Sequence, residues 1–153
     1  MDKKLITKAV GELNARILKE METDARLSIT EIGKRVGLSG PAVSERIKKM
    51  EDEGIITGYT TVVDHDQLGL AVNAFITLKS SLTHSGVIKK IEEVPEILEC
   101  YSITGNHCII MKVATSTTKR LEAIIGHLQQ FGETNTSVIL SATFEKRGIF
   151  KSL

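Results

Sequence analysis

The chain has 153 residues, with 20 Lys+Arg against 19 Asp+Glu, 12 Gly, 2 Pro, 2 Cys, no Trp and 4% aromatic side chains. These values describe an ordinary folded chain of one or two small domains and exclude a disulfide-rich scaffold, a polycation and a stacking-based single-strand binder. The longest apolar runs, such as Cys108-Ile109-Ile110-Met111, are far too short to span a membrane, and a reducing cytoplasm is the expected location.

The periodicity predicts a first helix over Gly11 to Glu22. Val10, Leu13, Ile17, Leu18 and Met21 recur at helical spacing and form one apolar stripe. Ser28 and Glu31 then form a capping-box pattern, with Leu27 and Ile32 placed as a hydrophobic staple. This second helix buries Ile29, Ile32 and Val36 and stops at Gly37. The third helix follows at once, capped by Ser39 or, with Pro41 in the first helical position, by Gly40. Its apolar face is Val43, Ile47 and Met50, and Gly54 closes it. Ile55 to Val63 reads as strand, turn and strand.

Three helices, a tight second connection and a β-ribbon describe a winged helix-turn-helix, with a plain three-helix bundle as the alternative. Pro41, Glu45, Lys48 and Lys49 lie opposite the apolar face of the third helix, flanked by Ser44 and Arg46. The face is equally compatible with a solvated surface carrying pairs such as Lys49-Glu53. Residues 1–63 hold 11 basic and 10 acidic side chains, so each head relies on local charge, and strong DNA binding calls for several heads on one assembly.

In the second half, Val72 to Lys79 alternates as a strand. Ser85 is the candidate cap of a helix burying Val87, Ile88, Ile91 and Val94 and stopped by Pro95. Ile97 to Thr104 and Cys108 to Ala114 form a hairpin about Gly105-Asn106-His107. Thr118 to Phe131 is helical, and Thr136 to Phe144 is the last strand. The order βαββαβ is the ferredoxin-like motif. Two helices cover one face of four strands, while Ile109-Ile110-Met111 and Val138-Ile139-Leu140 put apolar groups on both, so a partner subunit is expected on the other face.

No phosphate-binding Gly loop, carboxylate dyad or metal-ligand spacing emerges; no catalytic residue, metal or cofactor is expected. Cys100 and Cys108 read as small buried hydrophobes.

Asp24-Ala25-Arg26-Leu27-Ser28, Ile32-Gly33, Val36-Gly37-Leu38-Ser39, Arg46-Ile47, Gly54-Ile55-Ile56, Leu68-Gly69, Ile103-Thr104-Gly105 and Thr136-Ser137-Val138 together resemble the Lrp/AsnC (leucine-responsive, feast/famine) transcription regulators. The likeness covers nearly the whole chain after about Leu13. It departs at Val10-Gly11 and Asn14, where the family usually has Leu-Asp and a further Asp, and at Cys108 and Ile109, where many members have an acidic residue and an aromatic. The resemblance implies an α+β chain: an N-terminal winged helix-turn-helix over 1–58, a linker strand and hinge over 59–71, and a C-terminal ferredoxin-like βαββαβ domain over 72–153 that oligomerises and binds an effector. It implies double-stranded DNA as partner, a homodimer growing to an octamer, and a small-molecule amino acid. The expected DNA-binding residues are Arg26, Ser39, Gly40, Pro41, Ser44, Glu45, Arg46, Lys48 and Lys49. The expected effector residues are Gly105, Asn106, His107 and Cys108, with Thr134 and Thr136 supplying hydroxyls. An architectural DNA-wrapping protein with little effector response, and a ligand-sensing protein-interaction module, stand as alternatives.

Overall fold

A computed structural model of the chain describes residues 3–143 and 148–150. In chain order its elements are α1 (Lys3–Val10), α2 (Glu12–Thr23), α3 (Ile29–Val36), α4 (Gly40–Asp52), β1 (Val72–Ser80), α5 (His84–Glu92), β2 (Ile97–Ser102), β3 (Ile109–Thr115), α6 (Thr118–Gln129) and β4 (Gly132–Val138). They fall into two units. One takes in the described residues up to Thr61 together with 148–150; the other spans Val62–Thr143.

The helix boundaries of the first unit follow from local chemistry. Ser28 Oγ accepts from the Glu31 N–H at 3.2 Å, so one half of the capping box forms. The Glu31 carboxylate turns instead to Arg35 Nε at 3.3 Å. Gly37, at φ 75°, ends α3 in the left-handed conformation. Ser39 is the cap of α4, its hydroxyl accepting from Ala42 N–H at 3.4 Å. Gly40 is therefore the first helical residue rather than the cap. It tolerates that place before Pro41 because it has no Cβ to meet the proline ring. Ile17, Leu18, Ile32, Val36, Val43, Ile47 and Met50 make the core of this unit.

Two expectations differ here. An additional helix, α1, precedes the one that periodicity locates, and Gly11 at φ 83° separates them. Val10, read as the start of the α2 stripe, belongs to α1. Ile55 to Val63 forms no strand. The N–H groups of Ile55 and Ile56 both donate to Met50 O, at 2.8 and 3.0 Å, and turn the chain off the end of α4. Tyr59 Oη donates to Glu51 Oε1 at 2.7 Å. β-prone side chains make a strand only where a second backbone completes the ladder, and this segment runs without one among the described residues.

The second unit is a four-stranded antiparallel sheet in the order β2-β3-β1-β4. Ala74, Ile76, Leu78, Ile109, Met111 and Val113 share one face with Val87 and Ile91 of α5 and Leu121, Ile124 and Leu128 of α6. Both helices therefore cover the same face, as the βαββαβ order requires. Phe75, Thr77, Ile110, Lys112 and Tyr101 occupy the other face, with Phe75 40% and Tyr101 55% exposed.

Boundaries in this unit also shift. Thr83, not Ser85, stands at the cap of α5, without a side-chain bond. The last strand is Gly132–Val138 rather than Thr136 to Phe144; Phe144 lies outside the described residues. The apolar run Val138-Ile139-Leu140 falls at and past the end of the strand, with Val138 50% and Leu140 95% exposed. Pairing is set from β1, whose Ser80 lies opposite Gly132. A Cβ at Gly132 would fall inside the Lys79 carbonyl, so only glycine allows β4 to begin there.

Candidate nucleic-acid interface and effector turn

The first candidate site is one face of α4. Burial of Val43, Ile47 and Met50 leaves Pro41, Ser44, Glu45, Lys48 and Lys49 exposed on the remaining surface. The close approach of the connection to α3 depends on Gly33, since a Cβ there would lie 2.6 Å from Leu38 O. The Leu38 N–H in turn donates to Gly33 O at 2.9 Å. The helix N-terminus, with Ser39 and Gly40, is thus held in a defined place on a rigid two-helix unit.

The structure separates the expected basic residues by role. Lys48 is exposed, and Lys49 is exposed with Glu53 3.7 Å away. Arg46 is half-buried, and its Nη1 donates to Asn14 Oδ1 at 3.1 Å, bracing α4 against α2. Arg26 is exposed in the turn ahead of α3, where its N–H donates to Asp24 Oδ1 at 2.9 Å. Sequence reasoning missed a second brace. Arg35 bonds Glu20 Oε2 at 3.0 Å and Glu31 Oε1 at 3.3 Å, and these carboxylates raise its pKa. The Glu31–Arg35 spacing of four residues was a legible signal; the Glu20 contact, between helices, was not.

The second candidate site is the turn between β2 and β3. Gly105 adopts φ 120°, and Gly105 and Asn106 are exposed, with His107 half-buried. The Cys108 N–H donates to Leu78 O at 3.2 Å, and its carbonyl accepts from the Ile103 N–H at 2.9 Å. Cys108 is exposed and, by alternation, shares the uncovered sheet face with Ile110 and Lys112. Thr134 and Thr136 lie opposite Leu78 and Ile76, on the helix-covered face. Within one chain the two threonines and Cys108 are therefore on opposite sides of the sheet. Cys100 is exposed as well, so neither cysteine is the buried hydrophobe that composition suggested; partial burial, then Glu92, raises the Cys100 thiol pKa. Alternation places a residue on a face, but only the register tells which face the helices cover.

Residues 12–57 match the family described as winged helix-turn-helix DNA-binding, and residues 73–149 match the Lrp/AsnC ligand binding domain. The HTH-type transcriptional regulator LrpC of Bacillus subtilis is 33% identical over 141 residues, covering 91% of this chain and 97% of the relative. The chain belongs to the Lrp/AsnC family. It is a DNA-binding transcription regulator of that type, an α+β protein with a winged helix-turn-helix followed by a small antiparallel sheet and its helices. The solved structure of B. subtilis LrpC superposes with a TM-score of 0.83 at 31% identity, covering 89% of this chain and 97% of that one. A feast or famine regulatory protein from Mycobacterium tuberculosis, solved in complex with L-methionine, shares the fold with a TM-score of 0.84 at 22% identity, covering 90% and 97%. No helix among the described residues is long and apolar enough to cross a membrane.

Proposed function

We propose that the chain works in the cytoplasm as a homodimer or a larger assembly that reads duplex DNA with α4 of each head. The observation that carries this reading is the Ser39-capped helix whose exposed face holds Ser44, Glu45 and Lys48 while Val43, Ile47 and Met50 on its opposite face are buried. Ser39, Gly40, Pro41, Ser44, Glu45 and Lys48 approach the major groove, and Arg26 and Lys49 approach phosphates. Arg46 serves chiefly by holding α4 against Asn14. Each head carries little net charge, so affinity comes from joining heads, and half-sites should recur at about 10.5 bp or multiples.

An amino acid at the β2–β3 turn modulates this activity in our reading. Gly105, Asn106, His107 and Cys108 line it, and Thr134 and Thr136 contribute only across a subunit boundary, because within the chain they face the other way. The methionine complex of the M. tuberculosis protein of the same fold supports such a ligand class. One observation favours a second reading, a DNA-wrapping protein with a weak effector response. Cys108 offers no carboxylate to an ammonium group, and an unpaired buried ammonium is costly.

Duplex titration at two salt concentrations, with sedimentation of the same samples, tests the first part. Steep salt dependence and a species of two or more chains are expected. A monomer, or no duplex binding, would overturn it. Calorimetry with the twenty amino acids separates the two effector readings. Tight binding that survives both Cys108→Ala and Asn106→Ala would remove the turn from the site, whereas binding strengthened by Cys108→Asp would support the missing-acceptor argument.

A further inference from the structure

The chain leaves the first unit at Thr61, completes the sheet unit by Thr143, and comes back. Residues 148–150 are part of the first unit. The Ile149 N–H donates to Glu22 Oε1 at 3.1 Å, and Phe150 packs against the core formed by Ile17, Ile32, Val43 and Met50. Gly148 lies close against Glu22: a Cβ there would meet the Glu22 carboxylate carbon at 2.8 Å, so that side chain would have to shift. An apolar side chain on the core, a backbone N–H donating to Glu22 and a glycine set close against the same side chain make one seat beside α2.

We propose that Gly148-Ile149-Phe150 is a strap that fastens the end of the sheet unit's chain to helix α2 of the DNA-binding head. The head's core is closed partly by a segment about 90 residues from Thr57, where its own family match ends. Two routes then join head and sheet unit: the covalent segment after Thr57, and the chain after β4, whose end is held to the head by packing and a hydrogen bond. β4, which holds the candidate effector threonines, ends at Val138, about ten residues of chain before the strap. The strap therefore gives the head's core an apolar side chain that its own helices do not supply. This rests on the seat itself and holds whether or not an amino acid binds at the turn.

Hydrogen exchange on the full-length chain tests it. Phe150→Ala and, separately, Gly148→Val should speed exchange of the α2 amides about tenfold while leaving β1 amides unchanged. Unchanged α2 exchange in both variants overturns the strap. A second measurement tests whether the seat lies within one chain. In a Cys100→Ser, Cys108→Ser background, Glu22→Cys with Ile149→Cys should oxidise to a product that migrates as a single chain. A cross-linked dimer, or no cross-link, overturns a strap made within one chain. Duplex affinity of Phe150→Ala should fall about threefold with sequence preference unchanged, as expected when a head is loosened but its reading face is intact. A change of preference instead would place Phe150 in the reading face and overturn the assignment.

Discussion

The two candidate sites are built in opposite ways. The α4 face is convex, made by consecutive turns of one helix, and fully supported inside one chain by Ile17, Ile32 and Val36 beneath it. The β2–β3 turn is an exposed loop at the end of a sheet that has helices on only one face. Its expected partners, Thr134 and Thr136, lie on the other face. A reading surface needs only rigidity and exposure, so a single head can supply it. A pocket needs concavity and desolvation, and a bare turn near Tyr101 gains both only when something covers it. The α4 face is complete within one chain, whereas the turn and the two threonines lie on opposite sides of one chain's sheet.

That contrast can be broken first at the cores. Leu128→Ala, which empties a fully buried site under the sheet, should cost the sheet unit about 3 kcal/mol. Denaturant unfolding followed by hydrogen exchange should show β1 and β3 amides weakened while α3 and α4 keep their protection. Equal loss in both units would mean that they unfold as one. Gly33→Ala is the converse experiment. Its new methyl meets the backbone carbonyl of Leu38 and should destabilise the head by about 2 kcal/mol, with β1 protection unchanged.

The next effects are on binding. Lys49→Ala should weaken every duplex by about 1 kcal/mol and reduce the salt slope by about one unit, while Ser44→Ala should alter sequence preference. Gel-shift titrations over several salts and sequences would show this. Equal losses on all sequences in both variants would end the division between positioning and reading.

The smallest effects are pH-dependent and take opposite signs at Tyr59 in the head and Glu96 in the sheet unit. In the head, the hydrogen bond to Glu51 pushes the Tyr59 phenol up to about 12. A group held protonated by folding contributes stability below its unfolded pKa and loses it as pH rises, here through the interval from about 10 to about 12. Phenolate absorbance should show a late-titrating tyrosine that moves down in Glu51→Gln. In the sheet unit, Glu96 bonds Arg120, which lowers the carboxyl pKa against the opposing effect of burial. Its contribution is present above the unfolded carboxylate pKa and is lost as pH falls through the folded value. Acid should therefore weaken the sheet unit in a way that Arg120→Ala abolishes, and alkali should weaken the head in a way that Glu51→Gln abolishes.

Much of the head was legible in the residues because its determinants are local. Ser28 with Glu31, Gly37, Ser39 with Pro41, and the Val43-Ile47-Met50 stripe act within one or two turns of helix, where side chain and backbone meet whatever the rest of the chain does. The order of strands and helices in the sheet unit was legible for the same reason, as was the family from its scattered residues. What only the tertiary structure decided depends on groups distant in sequence. β4 begins at Gly132 because Lys79 leaves no room for a Cβ, although the apolar run lies further on. Arg46 meets Asn14 across 32 residues, and Ile149 meets Glu22 across 127. Cys108 and the two threonines part company because the sheet's register, not their own identities, assigns them to faces. Local hydrogen-bonding preferences are written in each residue and its neighbours. Register, cover and long-range bracing are set by which surfaces meet, and no window of sequence contains both.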